Sequence, residues 1–316
     1  MANHATKKNN KYSWAKFKKD FGGWLIMLPG LLLFAFFVWI PLSKNVYMSF
    51  FTTIGFDTDQ FAGFGQYQRV FNDPEFINAL GNTFEYLFWS LIIGFLIPIF
   101  LGLLLSETVH FKGFFRISIY LPAVLSGLAT SILWAYIYDP NNGGMLNTIL
   151  QSLGLDPIMW TNDPQLAIPL IVVSMTWKGA GATALIYLAS LQSVETTQYE
   201  AARMDGASLW TRMFKITLPT ILPTISTLFI LQIISVMQVF YEPLLITKGS
   251  SASMSLLLLG YNYAFDSKYS GTGLGGGGYH STAGQSAATA VILTIIILGL
   301  TAAYFALTKV ITRKKK

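Results

Sequence analysis

The sequence predicts an all-α integral membrane protein with six transmembrane helices, on three observations. Of its 316 residues 53% are hydrophobic and only 11% charged, with a mean hydropathy of +0.51, against about 25% charged in a soluble domain. Six segments stay apolar over roughly the 20 residues that a helix needs to cross the hydrocarbon core. The positive charge is gathered into two tails: Lys7, Lys8, Lys11, Lys16, Lys18 and Lys19 at one end, Arg313, Lys314, Lys315 and Lys316 at the other. A net charge of +6 placed beside apolar helices reads as anchoring on the cytoplasmic face and contact with membrane lipid, not as a nucleic-acid surface.

The six spans are expected at residues 22–43, 80–105, 116–138, 166–191, 218–241 and 286–310. The first follows a basic region, as a signal peptide would, but WLIMLPGLLLFAFFVWIPL is long and bulky with no small-x-small cleavage site behind it, so it reads as a retained span. Lys/Arg placement orients the rest. With the N-terminus inside, the inner segments hold sixteen of the 21 basic residues, counting Lys112, Arg116, Arg203, Arg212, Lys215 and Lys309 with the tails. The outer loops hold Lys44, Arg69, Lys248 and Lys268, and Lys178 lies inside the fourth span. Both termini are therefore expected in the cytoplasm. This divides the chain into a basic tail over 1–21, a membrane domain over 22–310 and a second basic tail over 311–316.

The outer segments are polar and aromatic: 44–79 carries FNDPEF, 139–165 begins DPNNGG, and 242–285 contains GTGLGGGGYH. The last string lacks the Lys-Ser/Thr pair of a phosphate-cradling loop and reads as a plain outer loop. Cysteine is absent and His4, His110 and His280 are scattered, so thiol chemistry, disulfides and a histidine metal cluster are excluded.

On the inner side, residues 192–217 interrupt the apolar pattern with SVETTQYEAARMDGASLWTRMFKIT. Glu195 and Glu200 stand near the start of a short helical run, where carboxylates suit a helix N-terminus. Ala201 and Ala202 are slim helix formers. Gly206 sits where a helix end takes positive φ. A second short helix is expected to carry Trp210, Met213 and Phe214 on one face, and Pro219 fits the first turn of the next span. These residues describe a helix–turn–helix lying along the membrane, either as a peg for close approach by another protein or as an amphipathic pair resting on lipid.

The spacing of Glu200-Ala201-Ala202, Gly206, Ile216 and Leu218-Pro219 resembles the EAA signature of permease subunits in binding-protein-dependent ABC importers. Tyr199 and Asp205-Gly206-Ala207 resemble its carbohydrate branch, the maltose-permease-like and multiple-sugar permeases. Further resemblance lies in Leu121-Pro122, in Trp177-x-Gly179, and in Ala283-Gly284 and Ala287-Ala288 at the start of the sixth span. The resemblance implies a type I ABC importer transmembrane domain with a cytoplasmic coupling helix. Glu200, Ala201, Ala202, Asp205, Gly206, Ile216, Leu218 and Pro219 would couple it to a separate ATPase. It also implies the partners: a second permease, in most such systems a different chain, two ATPase subunits and an extracytoplasmic sugar-binding protein, in a bacterial or archaeal cell membrane. No P-loop is present, so the chain is expected to be non-catalytic and to bind no cofactor, with ATP and Mg held by the partner ATPases.

Matched motif to motif, the resemblance puts substrate contacts at Ala123 and Gly127, at Met175, Trp177, Lys178 and Gly179, and near Gln232, Val236, Gln238 and Val239. Lys178 stands out because a charge inside a bilayer is costly and defaults to function. It would meet a hydroxyl or an acidic sugar's carboxylate, or else backbone carbonyls or the partner subunit. Trp177 offers a face for sugar stacking or simple packing. Gln232 and Gln238 serve contact or bridge helices. Several polar positions of the maltose pattern are Ala, Gly, Met or Val here, so maltose bound in the same way is not expected. Two other classes stand beside the importer. A secondary, ion-coupled sugar transporter is opposed by the absence of an acid near the centre of any span, Glu85, Glu107 and Glu242 all reading as near the ends. A membrane-anchored enzyme lacks a catalytic constellation.

Overall fold

The computed structural model describes residues 14–107, 111–141, 143–193, 195–266 and 283–313. The three histidines, Lys7, Lys8, Lys11, Lys268, the last three lysines and the GTGLGGGGYH string lie outside these residues. The first span is longer than expected. Helix α1 (Trp14–Phe34), a π-helical turn over Ala35–Trp39 and α2 (Ile40–Met48) run on continuously. No residue from Phe21 to Tyr47 is buried against the rest of the chain.

The first outer segment is structured, and it departs from an all-helical reading. Strands β1 (Phe51–Ile54) and β2 (Asp57–Phe61) pair antiparallel across a turn in which Gly55 takes φ 62°. Phe51 lies opposite Phe61 with ring centroids 5.3 Å apart, the cross-strand aromatic pairing that favours such ribbons. Helix α3 (Gly65–Asn72) follows. The second span starts earlier than residue 80, because Asp73 caps it. Its carboxylate accepts from the Glu75 N–H at 2.9 Å and Pro74 occupies the first turn, the arrangement FNDPEF encodes. This span comprises α4 (Pro74–Trp89), a π-turn over Ser90–Gly94 and α5 (Leu96–Glu107). Glu85 consequently lies about a third of the way along it, not at its end.

The third span is broken. Helices α6 (Lys112–Val124) and α7 (Gly127–Ile137) meet at 95°. Leu125 is extended, and Ser126 restarts the helix, its hydroxyl accepting from the Ala129 N–H at 3.2 Å. A side-chain cap inside an apolar run satisfies the backbone groups that the break exposes. After α8 (Met145–Ser152), the fourth span is a single helix, α9 (Pro164–Leu191), capped by Asp163 on the Gln165 N–H at 2.8 Å. Helix α10 (Thr196–Met204) is cytoplasmic in the orientation expected above. Then α11 (Leu209–Arg212), a π-turn over Met213–Thr217 and α12 (Leu218–Val236) form one run that is the fifth span. This span ends before residue 241. Short helices α13 (Tyr241–Ile246) and α14 (Leu256–Phe265) follow, and α15 (Ala283–Arg313) is the sixth span. The hairpin is seated on the start of α15, where the Gly284 N–H donates to Thr53 Oγ1 at 3.1 Å. Among the described residues, five helices are long and apolar enough to cross a membrane, six when α6 and α7 count as one.

Helix α9 is the hub, packed against α5 on one side and α6 on another. Glycine makes both contacts close. A Cβ at Gly102 would stand 2.9 Å from Tyr187 Cβ, and one at Gly181 would overlap the Ile119 carbonyl. Small residues at crossings are how membrane helices gain packing where no hydrophobic drive separates them from lipid. Toward the side expected to face outward, an apolar cluster of Tyr86, Tyr138, Ile168, Ile171, Val172, Val236, Val239 and Ile246 joins spans two, four and five to α7 and α13.

Candidate functional site

Two groups of predicted residues can be placed, one on helix α10 and one around the break in the third span. Helix α10 ends as expected. Gly206 takes φ +74°, the Ala207 N–H donates to Ala202 O at 2.9 Å and the Gly206 N–H to Arg203 O at 3.0 Å. That is the doubly bonded left-handed helix stop for which glycine is preferred. Glu195 occupies the N-cap position without a side-chain cap, and Glu200 lies in the middle of the helix, not its first turn. Glu200 therefore gains little from the helix dipole; its carboxylate is exposed, as are Ala201 and Asp205, while Ala202 is half-buried. Met204 completes that surface one turn beyond Glu200, with its side chain 88% exposed.

The second short helix does not stand apart. Four residues of α11 lead straight through the π-turn into the fifth span, and the Leu218 N–H donates to Met213 O. Pro219 explains the turn: it has no N–H to continue the α ladder, and the widened spacing absorbs the loss. Trp210 lies in α11, its side chain outside the described residues. Ile216 packs with Tyr199, Leu103 and Ile225 around buried Leu191 and Ile221. Leu218 is half-buried and Pro219 exposed. Tyr199 ties α10 to this run, its hydroxyl sharing a 2.6 Å hydrogen bond with Thr217 Oγ1. Replacing Tyr199 with Phe should remove about 1 kcal/mol of that tie. Hydrogen exchange in α10 should accelerate several-fold while the spans keep their protection, an outcome that mass spectrometry reads directly.

Around the break, Lys178 reaches across to the start of α7. Its Nζ would stand 3.1 Å from a Cβ at Gly127, so glycine there leaves room for the ammonium. Lys178, Ala123, Gly127 and Met175 are half-buried, whereas Gly179 and Gln238 are exposed within this chain. Trp177 is 40% exposed and meets Trp134 of α7 edge-on at 5.7 Å. Trp177 also borders a mostly apolar groove of about 410 Å³ between spans two, three and four. Val236 and Val239 are buried in the outer apolar cluster. Gln232 donates from Nε2 to Ser90 Oγ at 2.6 Å. A Cβ at Gly94 would meet both groups and Thr176 Oγ1. Gln232 thus bridges spans two and five at the π-turn of Ser90–Gly94.

The sequence profile of the family described as binding-protein-dependent transport system inner membrane component matches residues 24–316. The chain belongs to this family. The lactose transport system permease protein LacF of Rhizobium radiobacter is 32% identical over 253 residues, 78% of this chain and 84% of that one. The arabinooligosaccharides transport system permease protein AraP of Bacillus subtilis is 31% identical over 284 residues, 89% and 87% of the two chains. Among solved structures, a chain of the bacterial alginate ABC transporter, in complex with alginate pentasaccharide-bound periplasmic protein, superposes with a TM-score of 0.81 at 25% identity. That match covers 95% of this chain and 98% of the other. The fold is that of a type I ABC importer transmembrane subunit, a multi-pass inner membrane permease. Membership of this family disfavours the ion-coupled secondary transporter.

Four residues near these groups were not among the site residues expected of this permease. Met204 is one, and Thr217, the anchor of Tyr199, another. The third is Trp134, whose indole N–H is buried with no hydrogen-bond partner among the described residues. The fourth is Glu242, in the first turn of α13, which packs along α7 and against α9. Burial raises its carboxyl above the ordinary carboxylate range, and the Lys178 ammonium pulls the other way. The signal was present as Glu242-Pro243, an acid followed by proline just past an apolar run, which marks a helix start.

Proposed function

We propose that this permease carries a sugar or oligosaccharide across the membrane in an ATP-driven importer, and that residues 192–217 couple it to separate ATPase subunits. The observation that carries the reading is mechanical. Helix α10 presents Glu200, Ala201, Met204 and Asp205 outward, while Tyr199 and the unbroken run from α11 bind it to the fifth span. Movement imposed on α10 is thereby delivered to α12. Support for a carbohydrate cargo comes from relatives named for lactose, arabinooligosaccharides and alginate.

In this reading both termini are cytoplasmic, domain 22–310 pairs with a second permease, and a loaded extracytoplasmic binding protein docks on the outer segments. ATP and Mg stay on the ATPases, and this chain does no hydrolysis. Closure of the ATPase dimer pushes α10, and the paired spans exchange an inward for an outward opening, a two-state equilibrium biased from both faces. The sugar passes the residues around Lys178 at the break of the third span. Reconstituted with its partners, the native complex should hydrolyse ATP faster when loaded binding protein is added, and Glu200→Ala should abolish most of that stimulation. Failure of any ATPase subunit to co-purify in mild detergent would sink the proposal.

A further inference from the structure

The break in the third span gathers charge that the apolar sequence around it does not advertise. Lys178 is the lone basic residue of the fourth span and sits halfway along α9, with its ammonium at the first residue of α7. Helix α13 packs on α7 and on α9, with Glu242 in its first turn close enough for the Lys178 ammonium to act on its carboxyl. Both side chains are half-buried, so each keeps a face open. They do not close into an ion pair: no contact within 4.0 Å joins them. The region therefore sets one carboxylate against one ammonium.

A charge inside a bilayer, such as that of Lys178, is costly unless something polar lies with it. A separated ammonium and carboxylate supply one group that only donates hydrogen bonds and one that only accepts them. A hydroxyl does both, so a neutral polyol satisfies the two at once. A uronate carboxylate would satisfy Lys178 but face Glu242 in a medium that screens like charges weakly.

Resting on the import reading above, the geometry points to Glu242 as the residue that sets the charge preference of the path: with Lys178 it favours neutral sugars and rejects acidic ones. Glu242 acts as a specificity residue and Lys178 as the donor it counterbalances. The alginate transporter named above handles an acidic polysaccharide, so the inference separates this permease from a structural neighbour of the same fold.

The test uses the full complex in lipid nanodiscs without binding protein, which would otherwise impose its own selection. Saturation-transfer NMR would compare neutral oligosaccharides with their counterparts oxidised to the carboxylate at C6. The native complex should favour each neutral member by about tenfold, the change that one partly screened charge makes in a binding constant. Glu242→Gln, which keeps shape and hydrogen bonding, should bring the pair within about threefold of each other. Glu242→Asp should retain the discrimination, and Lys178→Met should weaken the neutral sugars. A ratio unchanged in Glu242→Gln, with neutral sugars still bound, overturns the inference and leaves the import reading standing. Binding of neither series to the native complex also overturns the inference, while the import reading, which relies on delivery by the binding protein, is judged by the ATPase test above.

Discussion

A Gly206→Val permease should insert and assemble yet import sugar at less than about a tenth of the native rate. Position 206 lies at φ +74° with nothing within 4 Å of where a Cβ would go, so the penalty is conformational and not steric crowding by neighbours. A left-handed backbone costs an L-residue roughly 1–2 kcal/mol, and more for a β-branched side chain. The strain is relieved by unwinding the last turn of α10, which breaks the bonds from Ala207 to Ala202 and from Gly206 to Arg203. The exposed set of Glu200, Ala201, Met204 and Asp205 then loses its common face. None of this touches a span, so membrane insertion and co-purification should survive while stimulated hydrolysis and uptake separate. Asn tolerates the left-handed region better than valine, and Gly206→Asn should recover much of the rate. Uptake in proteoliposomes, scored beside ATPase activity, checks both variants. Native uptake by Gly206→Val would show that the shape of this turn does not matter to coupling.

Span count, and the positions of α9 and of the helix stop at Gly206, were legible because they rest on composition and single-residue chemistry. Hydropathy reports length in lipid, and a glycine at a helix end reports positive φ. The second short helix is present as α11 and Pro219 lies in the first turn of α12 as expected, but nothing in the sequence signals that the π-turn over Met213–Thr217 joins the two without a break. The third span reads as one span over 116–138 since Ser126-Gly127 lies in an apolar run; the hydroxyl that caps the restart at the 95° bend is one atom among many. Glu85 was placed at a span end because the Asp73-Pro74 cap was not used to extend the helix. Glu242 was seen only as an acid near an end, since its approach to Lys178 depends on how α13 folds back over α7. What escaped the sequence is tertiary: which small residues mark crossings, and which polar side chains meet across them.

Gly181 is where that tertiary information concentrates, and a Gly181→Val permease should fail to reach a stable fold. A Cβ at this position overlaps the Ile119 carbonyl of α6, which is backbone and can yield only by moving the helix. Overpacking of this kind costs about 1–3 kcal/mol where side chains can give way, and here none stands in between. Displacing α6 from α9 would also drag the Leu125–Ser126 break, and with it Gly127, away from Lys178. Two effects are therefore expected together. The thermal unfolding midpoint of the detergent-solubilised complex should drop by several degrees even for Gly181→Ala. The alanine variant that still assembles should also bind sugar less well, because the ammonium has lost its place at the head of α7. Gly179 supplies the control, since it lies two residues away on the same helix with nothing within 4 Å of a Cβ. Gly179→Ala should leave the midpoint close to native. If both alanine variants melt alike, the close crossing of α6 over α9 is not what holds the third span in its bent form.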